Sequence, residues 1–178
     1  MDVILFTIFN GMLYGMLLFM LSSGLTLIFG MMGVLNFAHA SFFMLGAYFA
    51  YQISEFVGFY PALFIAPIII AFVGALVEKY GLRRVHKFGH VAELLFTFGL
   101  FYIIEEVVQM IWGKVPVGYH IPSSMDFSLF TIMGMSYPAY QMFTLAVSVA
   151  IFVGLFFVLT KTRAGLIIKA ALTHPEIV

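Results

Sequence analysis

The chain has 178 residues, of which 63% are hydrophobic and only 9% are charged. An ordinary soluble domain has about 25% charged residues and could not bury this much apolar surface. The formal net charge is zero and there is no cysteine, so the composition excludes disulfides and iron-sulfur clusters and gives no sign of nucleic-acid binding. We therefore expect an all-α polytopic membrane protein that forms one domain over residues 1–178.

Five apolar runs are each about as long as the 20 residues that a membrane-spanning helix needs. Glycines mark the breaks between the runs, at Gly30 and Gly33, at Gly58, and at Gly81 and Gly89. The N-terminus lacks the basic start of a signal peptide, so we expect the first run to remain as a span. The predicted spans are residues 3–29, 36–54, 61–77, 91–112 and 139–160.

The first run would be about 40 Å long as a helix, which is more than the hydrocarbon core of a bilayer requires. Residues 30–35 therefore form either a turn at the membrane surface or a break inside the membrane. Pro67 lies inside the third run and is predicted to kink that helix near Leu63, whose carbonyl oxygen loses its amide partner.

The lysines and arginines predict the orientation of the chain. Four of the eight lie in EKYGLRRVHKFGH at residues 78–90 and three follow the fifth run, whereas the loop of residues 113–138 holds only Lys114. Five alternating spans place the two basic segments on one side, which the positive-inside rule makes cytoplasmic. We expect a multi-pass protein of the cell inner (plasma) membrane, with its N-terminus outside and with residues 78–90 and the C-terminus in the cytoplasm.

Small residues recur at four-residue spacing in two of the predicted spans. Gly11 and Gly15 form a GxxxG pair, and Gly46, Ala50 and Ser54 form a second row. Such rows let helices approach closely, so we predict that these residues pack one helix against another.

Two carboxylates, Glu105 and Glu106, lie in the outer half of the fourth predicted span, close to Gln109. Charged groups are costly inside a membrane, and they usually line a pathway or meet a protein partner. Near a helix end, however, they can also reach the headgroups. The two glutamates are therefore either part of a substrate pathway or anchors at the membrane surface.

Asn36 and His39 open the second predicted span, three residues apart and hence on one face of a helix. The side-chain oxygen of Asn36 is predicted to accept the amide of Ala38 or His39 and so to cap the helix. A neutral histidine can donate to one neighbour and accept from another. His39 therefore either braces the bend between the first two spans or, together with Asn36, lines the gate of a pathway.

The sequence lacks the motifs of the common enzyme classes: it contains no HExxH, no GxxxxGK[ST] and no GxSxG. His86 and His90 have an i, i+4 spacing that could hold a metal ion, but their basic surroundings favour a solvated cytoplasmic turn. We therefore predict no cofactor, no metal site and no enzyme activity of the chain's own. Transport driven by ATP would need an ATPase on another subunit.

Three blocks in which polar residues interrupt apolar sequence resemble one protein family. They are NFAHASFFMLGAY at residues 36–48, TFGLFYIIEEVVQMIWG at 97–113 and TRAGLIIKAALTHPE at 162–176. In order and spacing they resemble the permease subunits of branched-chain amino acid ABC importers, in particular the first membrane subunit of the high-affinity leucine, isoleucine and valine system. NFAHA is similar to the family's signature at the start of the second membrane segment, although Ala40 stands where the family usually has glycine.

The resemblance implies a channel-forming permease that moves branched-chain or related amino acids. The implied partners are a second permease subunit, two cytoplasmic ATPase subunits and a periplasmic substrate-binding protein, in a lipid bilayer and without nucleic acid. Family members continue through further spans after the last block. We therefore expect a permease domain that is incomplete at its C-terminus and does not transport alone.

The last block is similar to the family's coupling segment, a short cytoplasmic helix that docks on the ATPase, here within residues 161–178. Its apolar residues recur at helical spacing among basic ones, as in an amphipathic helix. A helix lying on anionic headgroups is the alternative. The residues that the resemblance assigns to ATPase coupling are Arg163, Gly165, Leu166, Lys169, Ala170, His174 and Glu176.

Two further functions are open from the sequence. A self-contained secondary carrier or channel would use a membrane-embedded acidic residue in a broken helix, for which Glu105 and Glu106 are the only candidates. A membrane remnant or assembly subunit without transport activity would need no chemistry of its own.

Overall fold

A computed structural model describes residues 2–33, 35–132, 135–163, 165, 166, 168 and 170. Within these residues the main elements are five long helices and one β-hairpin. The fold is therefore all-α apart from the hairpin, and the predicted fold class is confirmed. The helices are α1 (Asp2–Met32), α2 (His39–Val57), α3 (Phe59–Val77), α4 (His90–Trp112) and α5 (Ala139–Lys161).

Each long helix lies within a few residues of a predicted span, because apolar runs and glycine breaks decide where such helices begin and end. Among the described residues, four stretches are long and apolar enough to cross a membrane: most of α1, α3 with the segment that follows it, α4 and α5. With 19 residues, α2 is about 28 Å long. It is more polar than the other four because it carries His39, Gln52 and Glu55.

The break predicted near residues 30–36 is confirmed, since α1 ends at Met32 and α2 begins at His39. Gly33 has a φ of 66°, a left-handed conformation that glycine adopts without strain. The depth of this break in the membrane stays a prediction. Pro67 lies inside α3, and α3 is helical on both sides of it; the kink also stays a prediction.

The chain divides into two compact units, residues 1–31 with 120–178 and residues 32–119. The first unit contains the β-hairpin, in which β1 (Ser128–Ile132) pairs antiparallel with β2 (Met135–Pro138). The sequence predicts only a loop for this stretch. Its strands are only four and five residues long, too short for their periodicity to stand out.

Aromatic contacts hold the first unit together. Tyr137 on β2 is buried, and its ring meets those of Phe6 and Phe9 at centroid distances of 5.9 and 5.0 Å. Further along the same two helices, Phe19 and Phe152 are 5.3 Å apart. Because Tyr137 directly precedes α5, these pairs show that α1 and α5 run in the same direction.

In the second unit, α2 and α3 form an antiparallel pair that turns at Gly58. A φ of 87° at Gly58 requires glycine there, because L side chains rarely adopt it. Ala62 and Ala66 form a small, fully buried face of α3. A Cβ built at Gly46 of α2 would lie 3.5 Å from Cγ1 of Ile70, an ordinary packing contact.

α4 packs against α2 through an apolar cluster of Leu45, Ile104 and Val108. The rings of Phe37 and Phe98 are 6.1 Å apart near the beginning of both helices. A contact further along α2 also lies further along α4, so α2 and α4 are parallel.

The segment of residues 78–88, called the connector below, joins α3 to α4. It continues α3 as a π-helical turn (Glu78–Leu82), a single α-helical turn (Arg83–Val85) and a 3₁₀ turn (His86–Phe88), and it ends at Gly89 with a φ of 90°. The break predicted at Gly89 is confirmed. The break predicted at Gly81 is wrong, because Gly81 lies within the π-helical turn, where the Phe96 ring leaves no room for a side chain.

Candidate functional site

Asn36 and His39 form the turn that begins α2. Oδ1 of Asn36 accepts the Ala38 amide at 3.1 Å, and its backbone oxygen accepts the His39 amide at 3.1 Å. The predicted bond to the Ala38 amide is confirmed, as an Asx turn. The prediction that Asn36 is the N-cap of α2 is wrong, because the N-cap is Ala38 and no side chain caps the helix. Asn36 and His39 are half-buried and Ala38 is fully buried. The turn is thus fixed by local bonds, while the pathway role of the pair stays a prediction.

Ser41, in the first turn of α2, is a buried polar residue that was not predicted from the sequence as part of a site. It is 2% exposed, and its hydroxyl has no hydrogen-bond partner among the described residues. Buried helical hydroxyls elsewhere in the chain donate to a carbonyl of the preceding turn, as Ser148 does to Thr144 at 2.8 Å. The Ser41 hydroxyl is therefore available to a water molecule or another small polar group close to the Asn36 turn.

Glu105 and Glu106 point in different directions from α4. Ile104 and Val108 are the buried residues of this stretch, and they define the face that packs on α2. Glu105 is half-buried beside this face, and its Oε1 accepts a weak hydrogen bond from Nε2 of Gln109 at 3.4 Å. Glu106 is exposed. Of these two glutamates, only Glu105 lies next to the core of the second unit.

The Asn36–His39 pair and Glu105 lie at different heights. Glu105 follows Ile104, which packs with Leu45 of the parallel helix α2. Leu45 is six residues beyond His39, a rise of about 9 Å along the helix. The four predicted pathway residues therefore do not form one cluster. If they line a pathway, they line it at two depths.

One polar contact in this part of the molecule was not foreseen. Nε1 of Trp112 donates to Oε1 of Gln52 at 3.2 Å, which joins the ends of α4 and α2. The Trp112 ring also lies 5.2 Å from that of Tyr48. Trp112 therefore packs α4 against α2 and gives the half-buried Gln52 amide oxygen a donor.

A cluster of His86, His90 and Glu93 lies where the connector meets α4. Glu93 is fully buried, and its two carboxylate oxygens contact Nδ1 of His86 and Nδ1 of His90, the latter at 3.2 Å. The two rings are 63% and 73% exposed, which agrees with the predicted solvated turn. The carboxylate that both rings contact is not solvated. Among the described residues, no group of three His, Cys, Asp or Glu side chains is placed to hold a metal ion.

Glu93 could have been suspected from its spacing, since it follows His86 by seven residues and His90 by three. Its complete burial could not, because it depends on how the connector folds back onto α4. A buried carboxylate needs hydrogen-bonding partners. Glu93 therefore ties both histidines, and with them the connector, to the first turn of α4.

The predicted coupling segment begins with a capped turn. The Thr162 hydroxyl accepts the Gly165 amide at 3.2 Å, the pattern of a helix N-cap, and the Thr162 carbonyl accepts the Leu166 amide at 3.2 Å. A Cβ at Gly165 would overlap the carbonyl oxygens of Val158 and Leu159, so only glycine fits there.

The remaining residues assigned to coupling divide into two groups. Arg163, Leu166 and Ala170 are exposed. Lys169, His174 and Glu176 lie outside the described residues. The docking role of all of them stays a prediction.

The predicted packing glycines differ in their surroundings. Gly46 faces Ile70 across the α2–α3 contact, and Ala50 on the same helix is half-buried. A Cβ at Gly11 or Gly15 would meet no described atom within 4 Å. The GxxxG pair thus has room for another helix beside it, and its packing role stays a prediction.

Comparison with known proteins gives two findings. A family model described as the permease component of the branched-chain amino acid transport system matches residues 7–178. A probable branched-chain amino acid transport permease protein, LivH of Methanocaldococcus jannaschii, is 26% identical over 178 residues, an alignment that covers 94% of this chain and 55% of the relative. The chain spans about half the length of this curated relative. No solved structure matches the chain.

Proposed function

Because the chain belongs to the branched-chain amino acid transport permease family, we propose that it is a membrane-spanning permease subunit of an ABC importer. Its substrates are branched-chain or related amino acids, which it moves across the inner membrane with ATP hydrolysis by partner subunits. The observation that carries the proposal is the family match over residues 7–178, a range that includes all five long helices except the first turn of α1. The chain is a multi-pass membrane protein.

The proposed complex has four kinds of partner: a second permease subunit, two cytoplasmic ATPase subunits, a periplasmic substrate-binding protein and the surrounding bilayer. The sequence supports the need for a separate ATPase, because it contains no GxxxxGK[ST] motif. The open faces of the helices support the need for a second membrane subunit. Phe156 and Phe157, for example, are each more than 60% exposed.

We propose that the N-terminus lies outside, and that the connector and the C-terminus lie in the cytoplasm. The distribution of lysine and arginine supports this orientation. So do the helix directions within each unit, because α2 and α4 are parallel and α3 is antiparallel to α2, as alternating spans require.

The substrate path is proposed to pass the two polar levels of the second unit. A branched-chain amino acid is a zwitterion with an apolar side chain, so it needs a few polar groups in an apolar channel. Glu105 can meet its ammonium group from the outer half of α4. Asn36 and His39, about 9 Å further towards the cytoplasmic end, can receive it at the gate.

Residues 161–178 are proposed to transmit motion between the ATPase and α5. Thr162 supports this role, because its hydroxyl caps the new helix directly after α5 ends at Lys161. The tight approach of Gly165 to the end of α5 makes the joint short and stiff. Movement of a docked segment would therefore pass to α5 with little loss.

Uptake of radiolabelled leucine tests this function. The chain is produced with the second permease, the ATPases and the binding protein in a host that lacks leucine uptake, and a matched strain carries an ATPase without its phosphate-binding lysine. We expect uptake that continues after the proton and sodium gradients are collapsed while ATP is maintained, and that the ATPase variant abolishes.

Two results would favour the alternatives. Uptake that stops with the gradients and survives the ATPase variant would indicate a secondary carrier, with Glu105 as its first candidate for ion coupling. Stable co-purification with the second permease but no uptake would indicate an assembly subunit. Co-purification is therefore measured in the same cells.

A further inference from the structure

The connector is a rigid element. Leu82 is buried, and Gly81 lies so close to the Phe96 ring of α4 that a Cβ would overlap it. Glu93 holds the end of the connector through His86. An apolar contact, a close backbone approach and a buried carboxylate thus fix the same short segment to α4.

The outer surface of the connector is basic. Of its cations, Arg83 is paired with Glu78, with Nε and Oε1 3.2 Å apart. Lys79, Arg84 and Lys87 are exposed, and no ion pair within the described part of the chain neutralises them. Three positive charges therefore face outward from a segment whose position is fixed.

Two of these cations lie against one aromatic ring. Nζ of Lys79 is 5.5 Å and Cζ of Arg84 is 5.9 Å from the centroid of the Tyr80 ring, distances at which cation–π attraction operates. The ring itself is 54% exposed. Tyr80 thus holds two cations close together around an aromatic surface that nothing in the described chain covers.

An exposed apolar row on α3 leads to this ring. Phe64, Ile68, Phe72 and Leu76 follow one another at i, i+4 spacing, and the next position in the row is Tyr80. The opposite side of α3 holds the buried Ala62 and Ala66, which face α2. The row is therefore an exposed apolar surface that ends beside the two cations at Tyr80.

We propose that this surface binds an anionic phospholipid, with its phosphate between Lys79 and Arg84 and its acyl chains along the row from Phe64 to Leu76. The shape of the ligand follows from the surface: an apolar body about three helical turns long with a negative group at one end. An acidic protein segment would satisfy the cations but not the apolar row. Arginine donates to phosphate through two N–H groups, and tyrosine is enriched where helices meet the headgroups.

The role of Glu93 in this site is positioning. It touches no lipid, but by fixing His86 it keeps the connector, and therefore Lys79 and Arg84, at one height above the apolar row. The inference depends on the membrane location of α3 and is independent of what the protein transports.

The test is lipid preference in nanodiscs that contain phosphatidylcholine and phosphatidylglycerol in equal amounts. Lipids that stay bound to the purified chain are counted by native mass spectrometry. Each basic residue near a membrane surface contributes about a fivefold preference for anionic lipid. We therefore expect the double variant Lys79→Gln, Arg84→Gln to lower the ratio of bound phosphatidylglycerol to bound phosphatidylcholine about 30-fold. If the wild-type ratio is smaller than that, the variant should bind the two lipids equally.

Two further variants make the result specific. Lys114→Gln, Lys161→Gln removes the same charge from exposed positions away from the apolar row and should lower the preference clearly less than the Lys79, Arg84 double glutamine variant does. Lys79→Arg, Arg84→Lys conserves the charge and should keep most of it, and it shows that the site tolerates substitution. Raising the salt concentration should weaken the wild-type preference and leave that of the Lys79, Arg84 double glutamine variant unchanged.

The proposal is overturned if the wild-type chain shows no preference for phosphatidylglycerol, or if both glutamine double variants lower the preference equally. It is also overturned if the Lys79, Arg84 variant binds lipid as the wild type does but no longer co-purifies with an ATPase subunit. That last result would assign the basic surface to a protein partner.

Discussion

Glu93 and His90 are hydrogen bonded across the first turn of α4, with Oε2 of the fully buried carboxylate 3.2 Å from Nδ1 of the exposed ring. His86 meets the other carboxylate oxygen from the 3₁₀ turn of the connector. An ionised Glu93 can only accept, so each ring must present a protonated Nδ1 to bond with it. One buried acid thus sets the orientation of two exposed side chains.

Replacing Glu93 by glutamine should destabilise the protein. Glutamine keeps one oxygen but turns an NH₂ group towards the second histidine, which can bond to it only in the tautomer that carries its proton on Nε2, and the bonds to a charged acceptor are lost. We expect the free energy of unfolding to fall by about 1–3 kcal/mol. Thermal unfolding in detergent, followed by circular dichroism, measures the change. Glu106→Gln, on the exposed side of the same helix, is the matched control and should leave the unfolding midpoint in place.

A side chain at Gly81 should be tolerated poorly. Gly81→Ala forces a Cβ into the Phe96 ring, and overpacking of this kind costs about 1–3 kcal/mol. Gly74→Ala is the control, because a Cβ there meets no described atom within 4 Å and alanine favours a helix. Combining Gly81→Ala with Phe96→Leu should restore part of the lost stability. A double variant no more stable than Gly81→Ala would show that the ring is not the cause.

The hydrogen bond that the Asn36 side chain accepts from the Ala38 amide can be tested by substitution. Asn36→Ala removes the oxygen that binds the Ala38 amide and should cost about 1 kcal/mol, whereas Asn36→Asp keeps it and should be close to the wild type. Thermal unfolding distinguishes the two variants. Equal losses in both would mean that the amide group of Asn36, and not its oxygen, holds the turn.

The variant His39→Gln tests whether His39 lines the gate of a pathway or braces the bend at the start of α2. Glutamine keeps a donor and an acceptor but changes the shape of the side chain. If His39 lines the gate, the variant is made in normal amount in the complete transporter and leucine uptake falls at least tenfold. Loss of the folded protein with proportionate loss of uptake would instead show that His39 braces the bend at the start of α2.

Two positions test the coupling segment in different ways. Gly165→Ala pushes a Cβ against the carbonyl oxygens at the end of α5, so it should change the path of the segment and lower uptake severalfold. Ala170→Trp adds bulk at an exposed position and should weaken co-purification with the ATPase without lowering thermal stability. Unchanged ATPase association in both variants would contradict docking at residues 161–178.

The sequence by itself determined the class of the protein, the five long helices and the break between α1 and α2. These features are local: a run of apolar residues must be helical in a bilayer, and Gly58 and Gly89 end helices through positive φ angles that glycine adopts without strain. The bond of Asn36 to the Ala38 amide was predictable for the same reason, because its partner is two residues away. The three blocks that resemble the permease family also lie in continuous stretches of sequence.

Only the tertiary structure decided what each polar residue faces. No role was predicted for Glu93 from the sequence, and it is fully buried where the connector meets α4. Gly81 looked like a break, yet Phe96 from the next helix makes it a close contact. Glu105 and His39 appeared to be one set of pathway residues, but the parallel packing of α2 and α4 separates them by about 9 Å. Burial and depth depend on which helix packs against a residue, and no run of neighbouring residues contains that information.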